Sequence, residues 1–520
     1  MKPSLLMPAM VTRRNVLLGG GIAAAAALAG PSLLRSAHAT DNATPKRGGT
    51  FRVGAEDASS KDNMDPALAF SGFAAMMCRA MYDSLVKEDA TGKPYDSLAE
   101  VFEPDATAQV WTIRIRDGVT FHDGKAVTID DVIFSITRAM TTTGSLAARS
   151  LEALDPKGIE KDGKLTARLK LKYPYSFFKQ AFFHPCLSIV PSDFDAKKPV
   201  GSGPFKFVSF EDQKFVAERN ANYWLDGKPY LDRIEVIGFA DPTTARLNAL
   251  MSGQIDAMPN LAFTQAKTIE GREDIKLLSA AGASFEPFTM RVDQPPFKDP
   301  RVLEAFKLMV DREQLVRNVY AGRGRIGNDL GWAQDPYYNA GIPQRAYDPD
   351  KAKFLLKEAG QEGLQIELHP SPEAPWNSAA AQVLAQQAKK VGVTVKLVAS
   401  ADLSSFYDQK YLKVEFSQDM FGPNPLSVTA GYSLLPDSPY NESHWKDEKA
   451  AELFKLASST GDSDKARQYL NDFQQLVHDK AGWIVWGFRD SLQAVSGKFG
   501  GLEPSLRGVN MHDLSGVWAL

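Results

Sequence analysis

Residues 111–140 read WTIRIRDGVTFHDGKAVTIDDVIFSITRAM. Trp111, Ile113 and Ile115 alternate with Thr112, Arg114 and Arg116, the period-2 pattern of a half-buried strand, and Asp117-Gly118 closes it in a turn. Phe121-His122-Asp123-Gly124 makes a second turn. Thr128 with Asp131 three residues on predicts a capping-box start, and Val132, Ile133, Ile136 and Met140 share one face of the helix that follows. The stretch is therefore strand, two turns and helix, with no catalytic motif in it.

Outward from this block, bulk properties bound the rest. A chain of 520 residues is too long for one ordinary core and predicts two or three domains, enough to enclose a ligand. Lys2, Arg13 and Arg14 precede a weakly apolar run from Val16 to Gly30, and Ala37-His38-Ala39 offers a small-x-small cleavage site, so residues 1–39 read as an export signal peptide with Thr40 near the mature start. Thr12-Arg13-Arg14-Asn15-Val16-Leu17 favours the twin-arginine route, with the general secretory route as the alternative. Without this leader 56 basic residues face 63 acidic ones, a formal charge of about −7 with no basic face for nucleic acid. No later run approaches the roughly 20 apolar residues that span a bilayer. No Cys follows Ala39 directly to carry a lipid, so the expected place is free in a Gram-negative periplasm. Cys78 and Cys186 are the only thiols; a disulfide and two buried free cysteines both remain open. Neither has a metal-ligand spacing and the histidines are scattered, so no metal or cofactor is expected.

Arg47-Gly48-Gly49-Thr50 enters a strand, and Met64-Asp65-Pro66 marks a loop before a helix carrying Cys78, Met81 and Tyr82. Gly201-Ser202-Gly203-Pro204-Phe205 is a turn and strand, and a helix stopped by Gly253 precedes a short strand at Ile255-Asp256. The character changes near residue 290. Pro295-Pro296-Phe297-Lys298-Asp299-Pro300 crosses into a helix capped by Asp299 with Pro300 first, its apolar face Val302, Ala305, Phe306, Met309 and Val310. Helices at 349–359, 380–391 and 464–478 then alternate with strands at 364–368 and 393–397, and Trp483 to Phe488 reads as one buried strand; the alternation implies a second α/β region.

Taken together, the 111–140 block, the Gly201–Phe207 turn and strand, Asn220-Ala221-Asn222-Tyr223-Trp224 and the stretch Asp241 to Asp256 resemble, in their expected order, the extracellular solute-binding proteins of family 5, which serve dipeptide, oligopeptide, nickel and opine importers. The resemblance implies an α/β, two-lobed periplasmic-binding-protein fold, class II-like with an inserted subdomain and a cleft between the lobes. Lobe I would comprise 40–290 plus 488–520, with the insert at about 84–199, and lobe II 291–487.

Mimics of catalytic motifs carry little. Gly201-Ser202-Gly203 lacks the Gly-Lys-Ser/Thr ending of a phosphate loop, and neither G-x-S-x-G nor H-E-x-x-H occurs. His122 beside Asp123, and His444 in Tyr440-Asn441-Glu442-Ser443-His444-Trp445, read as loop structure. A closing cleft wants aromatics and a few polar anchors instead. In peptide-binding relatives an aspartate of the second lobe pairs with the ligand's α-amino group. Here the corresponding region is 416–425, making Asp419 the candidate with Met420 and Phe421 beside it, although the spacing is displaced and Asn424-Pro425 replaces the usual Asp-Pro. Trp376 and Asn377, where a strand ends and a helix begins, Trp332 in a loop, and Trp486 near the crossing complete the candidate ligand set, against packing roles for each. Arg325 or Arg489 could meet a ligand carboxylate or form an ion pair.

The resulting expectation is a non-enzymatic, monomeric receptor. It would capture a small organic solute, a peptide first among the classes, and deliver it to the transmembrane subunits of an ABC permease and their ATPase. An opine, a sugar derivative or a nickel or metal chelate is the alternative ligand; a secreted hydrolase and a chaperone-like binder are the rival classes.

Overall fold

The computed structural model describes residues 44–520 apart from 57, 91–92, 146, 240–243, 373 and 505–512. The leader lies outside the described residues, as do Asp241, Pro242 and Thr243.

Among the described residues, the first large sheet has seven strands in the order Ile275–Ala280, Ser491–Ser496, Ala257–Met258, Thr50–Ala55, Arg233–Gly238, Lys214–Arg219 and Phe205–Glu211. Thr50–Ala55 runs parallel to Arg233–Gly238, and Ser491–Ser496 runs antiparallel between Ala257–Met258 and Ile275–Ala280. A four-stranded antiparallel sheet packs beside it in the order Ala99–Pro104, Val110–Ile115, Thr166–Leu171 and Leu154–Lys161. The two share one apolar core, from Phe51 and Val53 through Trp111, Ile113 and Ile115 to Leu169 and Phe182.

The 111–140 block folds for the reasons its sequence carries. Trp111, Ile113 and Ile115 are buried, the Thr128 backbone N–H donates to Asp131 at 2.9 Å, and the helix Ile129–Thr141 buries Val132, Ile136 and Ala139. The His122 turn locks onto the glycine turn: its N–H donates to Gly201 O at 2.7 Å, Nδ1 accepts the Gly201 N–H at 3.2 Å, and Nε2 lies 3.0 Å from Gly203 O. That pattern fixes a neutral imidazole with the proton on Nε2. Gly201 must be glycine, since a Cβ there would stand 2.0 Å from the Met81 carbonyl oxygen.

The second large sheet, five strands among the described residues, runs Thr394–Leu397, Gln365–Pro370, Phe416–Gln418, Phe288–Met290 and Trp483–Ile484. Helices Pro300–Leu308 and Pro375–Lys390 cover a core of Phe288, Phe306, Leu368, Leu384 and Phe416. Asp299 caps the first of these, its side chain accepting from Arg301 N at 2.9 Å. The helix expected from Ala380 begins at Pro375, whose fixed φ suits a first turn.

Two segments join the sheets. Residues 281–287 run from Ile275–Ala280 to Phe288–Met290, and 485–490 return from Trp483–Ile484 to Ser491–Ser496. They touch backbone to backbone, since a Cβ on Gly282 would stand 2.0 Å from the Arg489 carbonyl oxygen. The single strand expected from Trp483 to Phe488 is therefore two: Trp483–Ile484 pairs with Phe288 and Thr289, and Gly487–Arg489 pairs with Gly324–Ile326. The chain has to leave the second sheet to make the crossing, and the break falls at Val485 and Trp486. Cys78 and Cys186 are buried and not bonded to each other.

Candidate ligand-binding site

Strand Phe416–Gln418 ends where Asp419, Met420 and Phe421 step off the second sheet. Phe421 is held by the first crossing segment: its N–H donates to Phe285 O at 2.9 Å, the reverse bond measures 3.1 Å, and the two rings stack 5.2 Å apart. Asp419 is thus fixed at a sheet end beside the crossing, the position at which open α/β sheets place ligands.

Around it stand four tyrosines from three pieces of chain. Helix Leu403–Gln409, started by the Asp402 side chain accepting from Ser405 N at 2.7 Å, carries Tyr407, and Tyr411 follows one turn later. Helix Leu426–Ser433, whose first N–H reaches Asp335 at 2.8 Å, carries Tyr432; the Tyr440 N–H donates to Tyr432 O at 2.9 Å and fixes the loop beyond. Ring contacts run Tyr407 to Tyr411 at 5.1 Å, Tyr411 to Tyr440 at 6.4 Å and Tyr440 to Tyr432 at 6.1 Å, a continuous aromatic wall. The cavity they enclose with Asp419, Met420, Phe421 and Gly422 measures about 410 Å³, within the usual range for small-molecule sites.

The electrostatics are acidic. The Asp419 carboxylate is buried and lies 3.4 Å from the Tyr407 hydroxyl. Glu442 is buried, and neither of its carboxyl oxygens forms a hydrogen bond among the described residues; nor does the Thr289 hydroxyl. Burial first and the Asp419 charge second push Glu442 well above the carboxylate range, with the Thr289 and Tyr411 hydroxyls opposing in part. Burial and the same two carboxylates push the Tyr411 phenol up. Among the described residues no group of three or more His, Cys, Asp or Glu could hold a metal ion.

Of the sequence candidates, Asp419, Met420 and Phe421 line this cavity together. Trp332 lies behind it in the core that also holds Phe421 and Trp483, 6.4 Å from the Trp483 ring. Trp376 and Trp486 meet elsewhere. Trp486 is fully buried and stacks on Tyr320 at 4.5 Å; Tyr320 and Trp376 both contact Phe263, and Arg489 covers Trp376. Asn377 is buried, its Nδ2 donating to Ser371 O at 3.1 Å while Oδ1 has no partner among the described residues. Arg489 pairs with Glu286, and Arg325 donates to Gly282 O at 2.6 Å. The four tyrosines and Glu442 went unread in the sequence, though Tyr407 and Tyr411 stand at helical i, i+4 spacing and Glu442 lies in a stretch quoted only as loop.

Comparison with known proteins agrees with this architecture. Residues 93–434 match the family described as Bacterial extracellular solute-binding proteins, family 5 Middle. Glutathione-binding protein GsiB of Pectobacterium atrosepticum is 25% identical over 471 residues, 85% of this chain and 90% of that one. The probable peptide ABC transporter periplasmic-binding protein y4tO of Sinorhizobium fredii is 30% identical over 425 residues, 75% of this chain and 77% of that one. Among solved structures, the ABC transporter substrate binding protein CtaP from Listeria monocytogenes superposes with a TM-score of 0.81 at 22% identity, over 91% of this chain and 100% of that one, and so shares the expected two-lobed α/β fold.

Proposed function

The chain belongs to the bacterial extracellular solute-binding proteins of family 5, and from that premise we propose that it is the periplasmic receptor of an ABC importer, capturing a short peptide and presenting it to the membrane permease and its ATPase. It performs no covalent step and acts as a monomer. The observation that carries this reading is the cavity of about 410 Å³ lined by Asp419 and four tyrosines, because a buried carboxylate among aromatic side chains suits a ligand that brings a cation. The glutathione-binding and probable peptide-transport relatives support the peptide class.

In this reading residues 1–39 are removed on export, lobe I is 40–290 plus 488–520 with the insert at about 84–199, and lobe II is 291–487. Membership of the two large sheets supports this division, except that Phe288–Met290 belongs to the second sheet and so falls on the lobe II side. Closure turns on the crossing segments 281–287 and 485–490, and the ligand stabilises the closed form by touching both lobes. Phe421 couples the pocket to the first of those segments through its paired backbone bonds with Phe285.

The test is native mass spectrometry of the mature chain taken from its own periplasm, followed by denaturing release. A discrete peptide mass is expected. An opine, sugar derivative or metal chelate would replace the peptide class, a reading favoured only by Asn424-Pro425 standing where peptide binders usually carry Asp-Pro. Turnover of the released compound on re-addition would overturn the receptor reading in favour of a hydrolase.

A further inference from the structure

Phe177 and Phe178 are adjacent in the chain, yet they enter two different cores. Phe178 is fully buried against Phe102, Trp111 and Phe182, in the core shared by the seven- and four-stranded sheets. Phe177, 4% exposed, sits in the core that holds Phe421 and Trp483, its ring 5.8 Å from Tyr337 and 6.3 Å from Phe454. The residue before it closes a helix of the same region. Helix Glu448–Ser458 ends with carbonyls that no later turn can satisfy. The Ser176 N–H donates to Ser458 O at 2.7 Å, and the Ser176 hydroxyl lies 3.0 Å from both the Ala457 and Ser458 oxygens. Gly461, just beyond, is pressed against the 105–106 turn, since a Cβ there would stand 3.1 Å from the Asp105 and Ala106 carbonyl oxygens. The Ser427 hydroxyl, on the helix that carries Tyr432, donates to Gln180 Oε1.

We infer that Ser176 and Phe177 are a latch: a plug and a helix cap, carried by the proposed insert of lobe I and seated in lobe II, that hold the lobes closed before any ligand arrives. The inference rests on the two-lobed closure proposed above and adds to it what sets the balance between open and closed forms. Phe263 on Tyr320 and Trp376, and Arg323 on Glu270, also join the lobes. They lie beside the crossings, for Tyr320 and Trp376 touch Glu286 and Arg489, and Arg323 O accepts the Asp490 N–H at 3.1 Å. A hinge can bend at such places without parting them. Phe177 instead meets Tyr337 and Phe454, which stand outside the crossing segments. Opening about the crossings has to draw that ring into water and strip the caps from the end of Glu448–Ser458. A ligand then supplies only the remainder of the free energy of closure, and the Ser427 bond to Gln180 ties one pocket helix to the same clasp.

The experiment uses the mature chain, residues 40–520, unfolded in urea and refolded to free it of ligand, with the loss checked by native mass spectrometry. Small-angle X-ray scattering reads the separation of the lobes, and amide hydrogen exchange at Ser176 reads the clasp itself, because that N–H donates across it to Ser458. Ligand-free wild type is expected to scatter as the closed structure does, with Ser176 protected. Phe177→Ala is expected to scatter as a wider particle and to lose at least about tenfold of the Ser176 protection, the mark of local opening. Phe177→Leu should keep both, since it still fills the socket. A wild type that is already wider than the structure overturns the inference; if Ser176 is nevertheless protected, the insert travels with lobe II. Wild type and Phe177→Ala alike in both readouts would overturn it equally. Should Phe177→Ala not fold, as judged by circular dichroism, the two wild-type readouts decide. Neither readout contains a ligand, so an open wild type leaves the receptor reading standing, and a protein without a co-purified ligand leaves the latch standing.

Discussion

Arg489 lies over the indole face of Trp376, 4.9 Å from the ring centroid. Its Nε donates to Glu286 at 3.2 Å, and the Tyr320 hydroxyl donates to the same carboxylate. Glu286 and Arg489 sit on the two crossing segments, so one ion pair ties both crossings to the helix that begins at Pro375. Removing the cation would leave Glu286, which is fully buried, with only a phenol. Arg489→Ala is expected to cost about 3 kcal/mol in urea unfolding, the scale for breaking a buried pair. Arg489→Lys should recover less than half, because a lysine keeps the charge but not the planar stack. Equal stability of wild type and Arg489→Ala would show that the pair is exposed in solution.

Asp419→Asn is expected to weaken an ammonium-bearing ligand, tri-alanine or the compound released from the native protein, at least about tenfold. Stability should change little or rise, since the variant relieves the repulsion between Asp419 and Glu442. Titration calorimetry and thermal melting of the same samples separate the two effects, and unchanged affinity removes Asp419 from the site.

Acid should loosen the clasp between the His122 turn and the glycine turn. Burial lowers the His122 pKa from 6.5 to about 4. A base depressed in the fold binds its proton more readily in the unfolded chain, so its contribution is complete above about 6.5, fades as pH falls, and is gone near 4. The shift corresponds to roughly 3 kcal/mol. Urea midpoints at pH 7, 5 and 4 should therefore fall more steeply for the wild type than for His122→Gln; parallel curves would assign the acid sensitivity to other groups.

Both thiols should be countable only after unfolding. Cys78 and Cys186 are buried and unbonded, and burial pushes the Cys78 thiol up, away from the reactive thiolate. Alkylation without reductant is expected to add nothing to the native chain and two groups to the chain in denaturant. No addition in denaturant would reveal a disulfide.

What could be read from the chain beforehand was whatever is encoded locally. The capping box at Thr128 and Asp131, the Asp299-Pro300 helix start and the stop at Gly253, where φ is +74°, each depend on neighbours a few residues apart. Asp419, Met420 and Phe421 were singled out through the resemblance to peptide-binding relatives, in which one short stretch carries the amine anchor. The tyrosine wall was not: its members span residues 407–440 on two helices and a loop, and only packing brings them together. Trp486 shows the opposite limit. An aromatic near a crossing reads equally as ligand platform or core, and the stack on Tyr320 with zero exposure is a property of the folded surroundings. The split of Trp483 to Phe488 was hidden for the same reason, since an apolar run does not say which of two strands it will pair with.

The place of Ser491–Ser496 in the first sheet has a consequence for biosynthesis. That strand fills the gap between Ala257–Met258 and Ile275–Ala280, pairing with both. A ribosome that has finished residue 480 has made all of the second sheet except its edge strand, but the first sheet still lacks an interior strand and presents two unpaired edges. The part of the molecule begun first is thus finished last, and nascent chains cut short before residue 496 are expected to be the ones that chaperones or proteases must hold.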